Sequence, residues 1–102
     1  MMIVNFDEIE SMHPNAGGGS VFFFKDQPFT GLIVEFNDFG KIVGEISVVN
    51  GNKQGRITLY YDNGNIMQEH FEKYNRPYGI SRKWDEMGNL VNEYDFGPEF
   101  TP

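Results

Sequence analysis

The chain has 102 residues, no Cys, eight Lys plus Arg against fifteen Asp plus Glu, and 39% apolar residues, which describes one small acidic domain with no room for two. No run approaches the roughly 20 apolar residues of a membrane span, and the start, MMIVNFDEIE, has acids where a secretory signal carries bases, so a cytoplasmic protein is expected. Disulfides and thiolate sites are excluded, and a formal net charge of -7 repels nucleic-acid phosphates and anionic lipid alike, so neither nucleic acid nor membrane is an expected partner.

Residues 1–30 form the N-terminal part. MIVNFDEIE is too short to assign between a strand and one helical turn, and HPNAGGGS (His13 to Ser20) reads as a flexible connector. VFFFKDQPF then resembles the second strand and loop of a degenerate hairpin, which suggests a seventh strand beside the six that follow. Sixteen Phe, Tyr and Trp residues supply bulky material, so the core is expected to be aromatic rather than aliphatic.

From Gly31 onward the sequence repeats every 24 residues without a gap. Gly31, Gly55 and Gly79 open three units, 31–54, 55–78 and 79–102, and Gly40, Gly64 and Gly88 recur in the same frame. Phe36, Tyr60 and Trp84 are all aromatic, Ile42, Ile66 and Leu90 all branched aliphatic, and Glu45, Glu69 and Glu93 identical. Strand formers alternate with turn formers inside each unit, and the NDFG, DNGN and EMGN tips place Gly where a left-handed backbone angle closes a tight turn. Each unit therefore predicts two antiparallel strands. The second turn, around Asn50–Gly51 and Asn75 to Pro77, has room for four or five residues. The predicted fold is all-β: an elongated antiparallel meander of consecutive hairpins in a single domain, capped by the N-terminal segment. GLIVEF and KIVGEISVV are apolar on both faces, so VFFF and MIV, or a partner, must cover the sheet near residues 31–49.

The aromatic pair and turn glycine of YYDNGN (Tyr60, Tyr61, Asn63, Gly64), with the glycines opening each unit (Gly55, Gly79), resemble the MORN-repeat variants of many bacterial proteins, among them antitoxins. The likeness covers about residues 21 to 96. It implies consecutive β-hairpins in one elongated sheet and an immunity or antitoxin role, in which a toxin is neutralised by direct binding. The Tyr-Gly pattern is sparser here than in lipid-binding MORN repeats, so their lipid and junctional scaffold roles transfer poorly. The resemblance brings no catalytic residue.

Among candidate sites, Glu45, Glu69 and Glu93 would lie about 10 Å apart along one face, either as an acidic strip for a basic partner or as cross-strand partners of Arg56, Arg82 or Lys83. Asp85, Glu86, Glu93, Asp95 and Glu99 form an acidic C-terminal end without a base, suited to discouraging self-pairing at a strand edge and to steering a cationic partner. The aromatics are core by default. Trp84, beside Arg82, Lys83, Asp85 and Glu86, is the best exception, since Trp often anchors interfaces, and Tyr74 and Tyr78, flanking a loop, come next. His13 and His70 lack metal-ligand spacing, and His70 alternates with Gln68 and Glu72 as a solvent-facing position would. AGGGS lacks the Lys-Ser/Thr and helix of a phosphate cradle. No nucleophile or acid–base pair stands out, so the expectation is a protein with no catalytic, cofactor or metal site.

The functional expectation is a stoichiometric binder of a basic protein toxin, itself a monomer or small closed oligomer, with Trp84, Asp85, Glu86, Glu69, Glu93, Tyr74 and Tyr78 as candidate contacts. The alternative is a non-catalytic scaffold or interaction module of MORN-like type.

Overall fold

Three hairpin tips recur at 24-residue spacing with one backbone pattern. Asn37, Tyr61 and Asp85 each donate their N–H to the carbonyl four residues on, and Gly40, Gly64 and Gly88 each donate back to the tip's first residue. Those glycines have φ of 79°, 91° and 90°, the left-handed angle a side chain would resist. The computed structural model that shows this describes residues 1–12, 21–74 and 76–99. The connector expected at His13–Ser20 lies outside the described residues.

The strands in chain order are β1 (Ile3–Asn5), β2 (Glu10–Met12), β3 (Val21–Phe24), β4 (Gln27–Pro28), β5 (Gly31–Phe36), β6 (Ile42–Val49), β7 (Asn52–Tyr60), β8 (Ile66–Lys73), β9 (Arg76–Trp84) and β10 (Leu90–Asp95). Strands β5 to β10 form the expected antiparallel meander of consecutive hairpins. The seventh strand of that sheet is β1, which runs parallel to β5 rather than continuing the meander. MIVNFDEIE thus resolves into both alternatives, a strand followed by a 3-10 turn at Phe6–Glu8. Gly31 makes this docking possible: Met2 O accepts from Leu32 N at 3.0 Å, and a Cβ on Gly31 would stand 2.3 Å from the same oxygen.

VFFF does not join the meander as the degenerate strand expected of it. It is β3, the centre of a separate sheet ordered β2-β3-β4. A two-residue turn at Lys25–Asp26, both at positive φ, pairs it with β4, while the edge of β5 is taken by β1. The small sheet instead hooks onto the turn between β6 and β7, where Phe22 N donates to Gly51 O and Gly51 N to Phe29 O. That turn spans only Asn50–Gly51, with φ of 48° and 84°, so it is a tight Asn-Gly reversal and not the four-residue loop expected. Lys73 likewise pairs with Arg76, which puts Tyr78 inside β9.

Successive side chains alternate between faces, so the register defines a front face (Ile33, Ile46, Ile57, His70) and a back face (Val34, Glu45, Thr58, Glu69, Arg82, Glu93). The N-terminal segment covers the front face as the two-sided apolar pattern of β5 and β6 requires. Val4, Phe22, Phe29, Ile33 and Val48 form the buried cluster, with Ile9, Phe24 and Ile46 against it. Each such burial contributes about 1.5–3 kcal/mol. The core is therefore mainly aliphatic, with two Phe, where an aromatic one was expected. The aromatic column explains the difference: Phe36, Tyr60 and Trp84 sit at the tip end, away from the small sheet, so Phe36 is 43% exposed and the other two are half-buried.

Candidate interaction surface

On the back face one row crosses the whole meander. Val34 pairs with Glu45, Glu45 with Thr58, Thr58 with Glu69, Glu69 with Arg82, and Arg82 with Glu93. The repeated glutamates thus share a face, and each has a partner. Glu45 accepts from the Tyr60 hydroxyl. Glu69 is bound by Arg56 at 2.6 Å and approached by Arg82 at 3.8 Å, and Glu93 accepts from Arg82 Nε at 2.9 Å. Burial, with the Glu45 hydrogen bond second, raises the Tyr60 phenol above its ordinary pKa.

The front face changes character from one repeat to the next. The positions of Ile46 and Val48, 24 residues on, are His70 and Glu72, and 24 further are Tyr94 and Phe96. His70 is not solvent-facing as expected: its Nε2 lies 2.8 Å from Glu72 Oε2 and its Nδ1 3.3 Å from Gln68. Glu72 is buried to 9% exposure, and the His70 hydrogen bond, followed by Lys53 nearby, holds its carboxyl below the usual range. Tyr94 and Phe96 pack edge-to-face at 4.6 Å yet stay 59% and 47% exposed. All six residues of β10 are exposed. Phe96 N donates to Gly79 O, so by the two-residue alternation Glu93 and Asp95 turn their backbone groups outward, away from β9.

The candidate contacts divide between two ends of the sheet. Trp84, Asp85 and Glu86 sit at the last tip, with Glu93 on the strand leaving it and Glu69 one hairpin in. Asp85 builds that tip: its Oδ1 accepts from Met87 N and Asn89 N, both at 2.9 Å, and the Asn89 amide above all keeps its carboxyl below the ordinary range. Tyr74 and Tyr78 lie toward the opposite end, most of a nine-residue strand away, roughly 20–30 Å. Tyr74 is 49% exposed in a turn, and Tyr78 packs on Phe71 at 5.9 Å. No single small ligand spans both groups. Of the remaining acids, Glu99 reaches Lys73 at 3.2 Å and Asp95 Oδ1 accepts from Gly97 N.

Two features went unread in the sequence. One is the set of exposed apolar residues at the terminal strand, Leu90, Val91 and Tyr94 with Phe96 just past its end, of which Tyr94 and Phe96 were masked by the default that aromatics are core. Reading the Ile46 and Val48 columns down the repeat would have found two of them. The other is a groove of about 470 Å³ on the back face at the tips, formed by Tyr60, Tyr61, Asp62, Asn63, Met67 and Glu86 over Val43. Among the described residues no three His, Asp or Glu side chains group to hold a metal ion, and no helix is long and apolar enough to cross a membrane. Comparison with protein-family models, with curated proteins and with solved structures finds no match.

Proposed function

We propose that this chain is a cytoplasmic immunity or antitoxin protein of the MORN-repeat kind, neutralising a basic bacterial toxin by stoichiometric binding rather than by any reaction. The observation that carries this reading is the terminal strand. Tyr94 and Phe96 occupy the register positions at which Ile46 and Val48 are covered by the small sheet, and at the terminal strand no described element covers them. Half-exposed aromatics on one face of an edge strand whose other face is acidic are the makings of an interface, since rings supply area at low entropic cost and acids speed encounter with a cation-rich surface. Glu93 and Asp95, which alternate with Tyr94 and turn to the other face of the same strand, give this edge of the sheet its sign. Trp84, on the strand beside it, lies on the other face with Arg82 and Glu93 and is a separate candidate anchor.

The alternative, a scaffold assembled through sheet edges, is favoured by the open edge of β10. Charge argues against it, because pairing two β10 strands sets Glu93 and Asp95 of one copy against those of the other. One experiment separates the two readings. The product of the gene adjacent to this one is mixed with the protein and sized by light scattering over a concentration series. A 1:1 complex that weakens as salt rises, and that Tyr94→Ser with Phe96→Ser weakens at least about tenfold, supports the binder. Growth of this protein alone with concentration supports the scaffold.

A further inference from the structure

The tip groove combines four features that select a ligand. Its tyrosines are fixed at their far ends: Tyr60 donates its hydroxyl to Glu45, and Tyr61 donates to Trp84 O at 2.7 Å. Its floor is braced across repeats, because Asn63 and Asn65 both donate side-chain N–H to Glu86 O, at 3.0 and 2.8 Å. Its acids, Asp62 and Glu86, belong to a column, with Asp38, in which every tip carries a carboxylate. None of its lining residues is basic.

This chemistry excludes most occupants. A phosphate or carboxylate would meet two negative charges. A purely apolar group would strip water from Asp62 and Glu86 and return no hydrogen bond. A cation with a flat, weakly hydrated face fits both halves, lying on the tyrosine rings while its N–H groups reach the carboxylates. We infer that the groove receives an arginine side chain projecting from the basic protein partner. Lysine fits less well, as a strongly hydrated point charge with no plane to lay on a ring. The inference rests on the binding reading for the source of the arginine, but it adds a second contact point, on the opposite face of the sheet from Tyr94 and Phe96.

The test needs no partner. The ¹⁵N-labelled protein is titrated with N-acetyl-arginine-N-methylamide and, separately, with its citrulline counterpart, which has nearly the same shape and no charge. Expected are saturable shifts of the Tyr61, Asp62, Asn63 and Glu86 amides, with half-saturation on the order of 10 mM for arginine and at least about fivefold weaker for citrulline. The variant Asp62→Asn/Glu86→Gln should lose as much. It keeps the tip fold, since the amide oxygen introduced at position 62 can still accept from Asn37 and the ladder uses only the Glu86 main chain. Linear, unsaturable shifts, equal response to citrulline, or the largest shifts at Glu93, Asp95 and Glu99 would overturn the inference. The citrulline comparison stands even if the variant misfolds. An empty titration leaves the terminal-strand interface untouched, and absence of a toxin complex leaves the titration valid, so the two failures are distinct.

Discussion

The two ends of one sheet are built on different physics. Around β5 and β6 a second layer covers the front face, and Ile33 and Val48 are at most 1% exposed. Around β9 and β10 the sheet is a single layer among the described residues, β10 has no buried residue, and its neighbours are held by ladder hydrogen bonds, the Arg82 pairs and the braced tips. Hydrophobic burial supplies most of the stability a domain has, while exposed ion pairs supply little. The N-terminal half therefore folds the molecule. The C-terminal half is a surface that the folded half holds out, and its stability passes strand by strand as in other repeat structures.

The sharpest way to break this contrast is to delete apolar mass at each end. Ile33→Ala should cost about 2–5 kcal/mol in urea unfolding, whereas Val91→Ala, at 61% exposure, should stay within about 0.5 kcal/mol. Comparable losses would mean that β10 is covered after all. Glycine gives a second pair. Gly31→Ala sets a Cβ 2.3 Å from Met2 O and 2.9 Å from the Phe29 ring at φ 149°, so backbone strain and overpacking together should cost about 2–5 kcal/mol and loosen β1. Gly64→Ala meets nothing within 4 Å, and only its φ of 91° opposes the change, for about 1–3 kcal/mol.

Between the two ends lies Glu72, the first polar residue in the column that Val48 starts. Its carboxyl is held below the ordinary range in the folded state, chiefly by the His70 hydrogen bond, so the unfolded chain takes up its proton first as pH falls. The contribution is complete above the ordinary carboxylate range and is lost as pH falls through the lowered folded value. Glu72→Gln should cost about 1–3 kcal/mol at neutral pH and flatten this acid-side loss in a series of urea titrations. An unchanged acid branch would mean that Glu72 plays no part in it.

The meander was legible because its tips are local. The glycines at 40, 64 and 88 impose their turns whatever packs beside them, and their spacing sets the strand lengths. The back-face row was legible for the same reason: equal spacing puts Glu45, Glu69 and Glu93 on one side. The N-terminal part was not. VFFF is apolar on both sides and carries no register information, so only the Lys25–Asp26 turn and the hook on Gly51 decide that it makes its own sheet. A three-residue parallel strand such as β1 leaves no periodic trace at all. The surface was half legible: Trp84, Asp85 and Glu86 do sit together at a tip, but the recess formed by Tyr60, Tyr61 and Glu86 depends on which hairpins stack, and that is set across repeats.

The smallest effect tests the contrast most closely. Arg82 ties Glu69 on β8 to Glu93 on β10, with 37% of its side chain exposed. Arg82→Ala should cost no more than about 1 kcal/mol globally, and less as salt rises, because water and ions screen such pairs. Its local effect should be larger than its global one. If the terminal hairpin opens without unfolding the rest, amide exchange in β10 speeds up while β5 and β6 stay at the global limit. Equal acceleration in all strands would instead mean that the sheet unfolds as one unit, and that the uncovered end shares the stability of the covered one.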